Sequence, residues 1–513
     1  MACEGKAGDD GSDERSGAGC CCPSQGGQAK LALRANPFAV RPWLMQTLLQ
    51  SNWLRYTPVA VAGAGLVTLA IWLARGPGGS LTMRMPGADQ RPTAAATAGS
   101  NPVLAGKLTR GPGQAANLPG AWAGFRGSAR TGASTETVPL ARTWGAGGPR
   151  ELWSVELGEG YAGPAVLNGR VYLFDYDQKQ KLDTLRCLSL ADGQEIWRFA
   201  YPVSVKRNHG MSRTTPAVTD KYVVGIGPKC HVVCLDSASG ELKWGLDLVR
   251  DFGATVPPWY AGQCPLIDGD RVILAPGGPD SLLMAVDLAT GKPVWKTPNP
   301  NGWKMTHASI TVAEFAGKRQ YVYPASLGVV GVSAADGALL WDTPDWKISI
   351  ATVPSPLVLD DSHIFLAGGY NAGALMLQLT EASGKIVPKT VFRLDADTFG
   401  ATQQTPIFHA GHIFGVRPDG RFTCLDLDGK VVWTTEPGTN FGLGSFLLAG
   451  DLFYVLNDNG KLTLIAATPD RCQVLAQAQV LKGRESWGPM ALAGGRLLAR
   501  DLTRLVCLDV AAH

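Results

Sequence analysis

The chain has 513 residues, including 63 Gly, 34 Pro and 15 Trp, and only 18% of it is charged. Its 47 basic and 43 acidic residues leave a net charge of +4, too balanced for the basic surface of a nucleic-acid binder. The length exceeds one ordinary core but suits an array that grows by repetition inside one domain.

Residues 1–55 are read as a disordered tail, because Gly, Ser, Asp and Ala dominate its first part and cannot bury enough apolar surface to order it. Cys20, Cys21 and Cys22 sit there as exposed thiols or acylation acceptors. No neighbouring ligand cluster makes them a metal site. Residues 56–74 are uncharged and mostly apolar, and a bilayer needs about 20 such residues, so the segment is expected to be a single-pass transmembrane anchor. A cleaved signal sequence, with a start at Met45 and Arg55 as its basic flank, is the other reading. Basic residues on both sides, Arg55 before and Arg75 after among them, leave the orientation unset by charge. The domain that follows is placed on the extracytoplasmic, periplasmic side, as a first helix after a short tail exports what it precedes. Residues 75–120, rich in Gly, Pro, Ala and Thr, read as a flexible linker.

From residue 121 to 513 the texture changes and a hairpin repeats. In Cys234-Leu-Asp-Ser-Ala-Ser-Gly-Glu-Leu-Lys-Trp244 an apolar run ends at a turn-forming Asp, Gly240 allows positive φ, and Leu242 and Trp244 alternate with polar neighbours. The same Gly-to-Trp spacing joins Gly193 to Trp197, Gly291 to Trp295, Gly337 to Trp341 and Gly429 to Trp433. Gly384 keeps the spacing but arrives at Pro388, and a degenerate copy ends near Ala476. Trp153 matches the outgoing strand without a partner. Steps between markers run from 43 to 51 residues, and a small residue or Pro opens an apolar hairpin in each period, as at Thr215-Pro-Ala-Val218 and Thr405-Pro-Ile-Phe408. A period of this length with four short strands predicts propeller blades. Eight openings and eight outgoing strands are present, but the last opening ends at Cys507-Leu-Asp509 with its outgoing strand available only at Glu151 to Leu157. The predicted fold is all-β: an eight-bladed β-propeller closed by its N-terminal strand. Trp153, Trp197, Trp244, Trp295, Trp341 and Trp433 are its structural repeat positions.

Trp122-Ala-Gly-Phe-Arg-Gly127, then a Trp-bearing strand, then Gly158-Glu-Gly-Tyr-Ala-Gly-Pro-Ala-Val166 resemble bacterial proteins with pyrroloquinoline-quinone (PQQ)-like propeller repeats. The Leu-Asp-x-x-x-Gly-x-x-x-Trp hairpin resembles that family's blade signature. The resemblance covers about residues 120–513 and implies either a binding scaffold, as in the outer-membrane assembly lipoprotein's propeller, or a quinoprotein dehydrogenase holding PQQ with calcium in its funnel. The chain departs from the lipoprotein in having no acceptor Cys directly after its apolar segment. It departs from the dehydrogenases in that its adjacent cysteines lie in the tail and no calcium-ligand set can be matched residue by residue.

Cys187, Cys234, Cys424 and Cys507 share one repeat position and read as small core residues. His409-x-x-His412 falls on an ordinary hairpin turn, and the recurring Asp before each Gly reads as a turn cap; neither suggests a metal. Between one blade's Trp and the next blade's opening the segments vary, and in a propeller they gather around the central channel. They supply the binding-face candidates Arg213, Trp259, Trp303, Lys304, His307, Gln404, Arg484, Glu485 and Trp487, in which Arg and aromatic residues, the usual binding anchors, recur. The expected function is therefore a membrane-tethered scaffold that binds a protein or peptide partner without catalysis or cofactor. PQQ-dependent dehydrogenation and small-ligand or carbohydrate sensing are the alternatives.

Overall fold

The computed structural model describes residues 52–75 and 100–513, and the chain divides into two units between Met83 and Arg84. Cys20 to Cys22 and most of the expected linker lie outside the described residues. The first unit contributes the helix Asn52–Arg75, which covers the predicted anchor; its residues 56–71 are exposed. Among the described residues no helix is long and apolar enough to cross a membrane. The helical part of the expectation is thus observed, and the transmembrane part is not carried by the structure.

The second unit holds eight sheets, each built on the four antiparallel strands of one blade, in sequence order in all but the last. We number the blades from the one opening at Ala165–Leu167. The last, blade 8, takes Ala491–Ala493, Arg496–Arg500 and Arg504–Asp509 from the C-terminus, and its fourth strand is Arg150–Glu156. That strand pairs along Arg504–Asp509, placing Trp153 opposite Cys507. The predicted closure is observed.

Each repeat tryptophan faces a small residue on the third strand: Cys187 for Trp197, Cys234 for Trp244, Ala285 for Trp295, Gly331 for Trp341 and Cys424 for Trp433. A register shift follows at each of these pairs, and such a bulge bends the strand and increases its twist. The indole then reaches the next blade. Trp197 lies against Gly240, Trp244 against Gly291 and Trp295 against Gly337, each Gly having positive φ. A side chain at Gly240 would meet the Trp197 ring at 2.6 Å, so both the turn and the docking require glycine there. Trp244 Nε1 also donates to Leu288 O at 2.8 Å across the blade boundary.

Blade 5 breaks the pattern. Its outer hairpin has ten-residue strands, Gly373–Ala382 and Lys385–Leu394, and Gly384 at the tip touches nothing. Phe392, not Pro388, occupies the tryptophan position: it pairs with Met376 at the bulge and packs on Gly429 of blade 6. The longer hairpin carries the Gly marker out of register with the docking site.

Residues 100–120, read from sequence as linker, run along the propeller instead. Val103 is fully buried, and Lys107–Arg110 pairs with Glu195–Pro202 as a fifth strand on blade 1. Beyond them the chain meets the inner ends of six blades. Trp122 bridges to Val166 of blade 1, and Ala123 O accepts from Val218 N of blade 2. Arg130 donates to Pro265 O and Ile310 O, which precede the first strands of blades 3 and 4. Arg126 donates to Thr405 O and Pro406 O ahead of blade 6, and Ala133–Ser134 pairs with Phe446–Ala449 of blade 7. A segment touching the innermost strands of six blades must cross the central channel, so residues 121–134 plug it. Burial lowers the guanidinium pKa to about 9 at Arg126 and about 10 at Arg130, and backbone carbonyls replace the lost water.

Candidate functional site

Above the plug lies a cavity of about 310 Å³ floored by Phe125. Its wall takes Tyr161, His209, Arg213, Trp259, His307, Gln403 and Trp487 from the segments between blades, and Tyr370 from a hairpin turn within blade 5. His209, Trp259, Tyr370 and Glu485 are all left-handed, at φ of 56°, 62°, 55° and 57°. Non-glycine residues occupy this region at a cost, and three of the four line the cavity while Glu485 bonds its wall at Tyr161.

The loop bearing Tyr161 is held from two sides. Tyr161 N donates to Ser212 O at 2.6 Å and Met211 N to Glu159 O at 2.9 Å. Gly160 and Gly210 meet so closely that a side chain at Gly210 would lie 2.7 Å from Gly160 Cα. Behind the loop, fully buried Arg500 donates to Gly158 O at 3.2 Å and Ala162 O at 3.3 Å. Tyr161 thereby stands between three partners. Its hydroxyl donates to Glu485 Oε2, its ring lies 5.1 Å from that of Trp487, and the Arg213 guanidinium sits over its other aspect at 5.1 Å. Burial, then the bond to Glu485, pushes the Tyr161 hydroxyl well above its ordinary pKa.

Arg213 donates through Nη2 to Asn208 O at 3.1 Å, while its buried Nε has no partner. Burial lowers its pKa to about 10, so it remains a cation at neutral pH. His307 packs 6.2 Å from Trp259, and its Nε2 bonds Pro258 O at 2.6 Å. Burial and the nearby Arg213 charge depress its pKa to about 4, which keeps it neutral. The site therefore combines one desolvated cation, aromatic walls and a carboxylate already bonded to a phenol. That arrangement can bind an anion or an aromatic group.

Of the residues singled out in the sequence, Arg213, Trp259, His307 and Trp487 line the cavity and Glu485 braces its wall. Gln404 lies in a smaller neighbouring cavity of about 70 Å³, with its amide committed to Gly442 O and Gly444 O. Trp303 is buried, its ring close to Gly328, and belongs to the core. Lys304 and Arg484 are exposed and do not line the cavity. Phe125, Tyr161 and Tyr370 were not singled out. Tyr161 lies in the segment between Trp153 and the opening at Gly163, so the rule that found Arg213 covers it too. Asp236 caps its turn by accepting from Ala238 N and Ser239 N, and His409 and His412 face each other across a hairpin. Among the described residues no three His, Cys, Asp or Glu side chains cluster as metal ligands.

The blades, the closure and the funnel define a β-propeller of the PQQ-like superfamily. The chain belongs to the family described as outer membrane protein assembly factor BamB, which matches residues 181–435 and 343–512. Among solved structures, a europium-containing methanol dehydrogenase is similar at 13% identity and a TM-score of 0.54, covering 76% of this chain and 90% of its own. A quinohemoprotein alcohol dehydrogenase from Comamonas testosteroni is similar at 12% identity and 0.54, covering 78% and 82%. BamB from Moraxella catarrhalis aligns at 14% identity and 0.48, covering 70% and 99%. These likenesses are of fold. No curated protein matches the chain.

The quinone-with-calcium site of the dehydrogenase reading can be tested against the residues present. Calcium takes about six to eight oxygen ligands. No carboxylate lines the cavity; Glu485 stands behind it with Oε2 accepting from Tyr161, and the lining presents a guanidinium and neutral His307. This donor set does not fit calcium.

Proposed function

We propose that this protein is a scaffold propeller that receives part of a protein or peptide partner at its funnel and performs no chemistry on it. The observation that carries this reading is the cavity itself: blind behind residues 121–134, walled by aromatic side chains and lined by the Arg213 guanidinium. Membership of an assembly-factor family supports a polypeptide partner. Placement outside the cytoplasm belongs to the proposal and rests on the apolar sequence of residues 56–74. Protease protection of the full chain in sealed vesicles of known orientation tests it.

The function is tested by installing a photo-crosslinking side chain at Tyr370, on the cavity wall, or at Val391, on the outer edge of blade 5. The Tyr370 position should yield a discrete polypeptide adduct in cells, and Val391 should not. In parallel, the full chain mixed with PQQ and calcium should neither retain quinone nor reduce a dye with alcohols. Stoichiometric retention with substrate-dependent reduction would establish the dehydrogenase reading in its place.

A further inference from the structure

We infer that the funnel is a carboxylate site, and that its ligand is the C-terminal end of a polypeptide whose last side chain is aromatic or large and aliphatic. The inference rests on the binding reading above and specifies what enters. Three observations lead to it.

The first is the shape. Residues 121–134 cross the channel and Phe125 forms the floor, so a chain cannot thread through; what enters must end or turn inside. A cavity of about 310 Å³ lies at the lower limit of ligand pockets and suits one large side chain with its terminal group. The second is the cation. Arg213 lies against Tyr161, spends one nitrogen on Asn208 O and lines the cavity. A guanidinium best receives a planar carboxylate. Glu485, the carboxylate nearest this cluster, is spent on the Tyr161 hydroxyl instead of neutralising Arg213 through a direct bond. The third is the wall. Trp259, Tyr370, Trp487 and Phe125 surround the same space and supply faces for an apolar body attached to the anion. His307 adds no charge at neutral pH, and Arg213 is the one Arg or Lys that lines the cavity.

A free aryl carboxylic acid shares this chemistry, and the experiment separates the two sources. Calorimetric titration of the full chain uses N-acetyl-Ala-Ala-Phe with a free C-terminus, the same peptide as its C-terminal amide, and 3-phenylpropionate. The free acid should bind, and the amide and 3-phenylpropionate should each bind about tenfold or more weakly, the first for the lost charge-assisted bonds and the second for the lost backbone. Arg213→Gln should abolish the preference for acid over amide. Glu485→Gln should tighten the acid, because a neighbouring negative charge is removed. Equal affinity of acid and amide, or no binding of either, overturns the carboxylate assignment; 3-phenylpropionate binding as tightly as the peptide overturns the polypeptide one. If the Arg213 variant does not fold, the acid-against-amide comparison on the unaltered chain still decides. A crosslinked partner at Tyr370 with no acid preference would sink this inference and leave the scaffold reading intact. Loss of the crosslink as well would sink both.

Discussion

Asp183 is a carboxyl group shut away from water between blades 1 and 2. Its Oδ2 accepts from the Tyr201 hydroxyl, its Oδ1 has no partner, and burial raises its pKa from 3.8 to about 7. The nearby Asp175 charge raises it further, while the Tyr201 hydroxyl, Thr184 N and Ser212 pull the other way. Edge-on to Tyr201, with ring centroids 5.9 Å apart, lies His231, whose pKa burial lowers from 6.5 to about 4 against the attraction of Asp247, with Lys229 and Arg250 adding to the fall. The two groups act on stability in opposite directions. Asp183, raised in the folded state, contributes stability that is complete below pH 3.8 and lost as pH climbs to about 7. His231, lowered, contributes stability present above pH 6.5 and lost as pH falls to about 4. Removing the first should unmask the second. The melting temperature of Asp183→Asn, relative to the parent, is expected to rise steadily from pH 4 to pH 7; a difference that stays flat would refute the assignment. Nothing in the sequence marks Asp183, because its burial arises where two blades meet. The same limit explains Trp303: repeat spacing locates a residue in a channel-facing segment without fixing where its side chain points. Phe125 was hidden for another reason, since it comes from a plug outside the repeat.

At the scale of the hairpin, sequence and structure agree where a local rule and a packing rule coincide. The Gly–Trp spacing was legible because it serves both: the Gly makes the turn, and the same Gly receives the preceding blade's indole. In blade 5 the two separate, and the spacing pointed to Pro388 while Phe392 does the packing. The fifth strand on blade 1 was not legible, since Lys107-Leu-Thr-Arg110 is a short polar segment whose pairing depends on an edge that is distant in the sequence. Trp244 is the clearest test of the docking. It is 7% exposed, packs on Gly291 and donates to Leu288 O. Trp244→Ala leaves a cavity at the boundary of blades 2 and 3 and leaves Leu288 O with only the weak Cys234 thiol donor, so it should cost about 3–5 kcal/mol, as other large aromatic truncations do. Urea unfolding should show the loss as a lower midpoint at unchanged slope. A variant with the parent's midpoint would show that the inter-blade contact carries little of the stability.

For the whole molecule, the number of blades and the closure were legible because a ring needs as many outgoing strands as openings, and the count put the missing one at the N-terminus. What the count could not show is that a second N-terminal stretch holds the ring from inside. Two deletions separate these roles. Removing residues 1–145 strips the fifth strand of blade 1, the Trp122 and Arg126 contacts and the pairing of Ala133–Ser134, but keeps Arg150–Glu156 on Arg504–Asp509. The outer strand of blade 1 then becomes an uncovered edge, the condition that the outer strands of blades 2 to 7 already have. This product should melt below the parent and remain soluble. Removing residues 1–157 also takes the fourth strand of blade 8. That exposes Arg504–Asp509, a middle strand whose Leu505, Val506 and Cys507 are fully buried, as an open hydrophobic edge beside the unsealed boundary with blade 1. Such an edge recruits other chains, so the longer deletion should aggregate during refolding and elute in the void volume at concentrations where the shorter one stays monomeric. Equal solubility and melting temperature for the two would mean that Arg150–Glu156 pairs along blade 8 without closing the ring energetically.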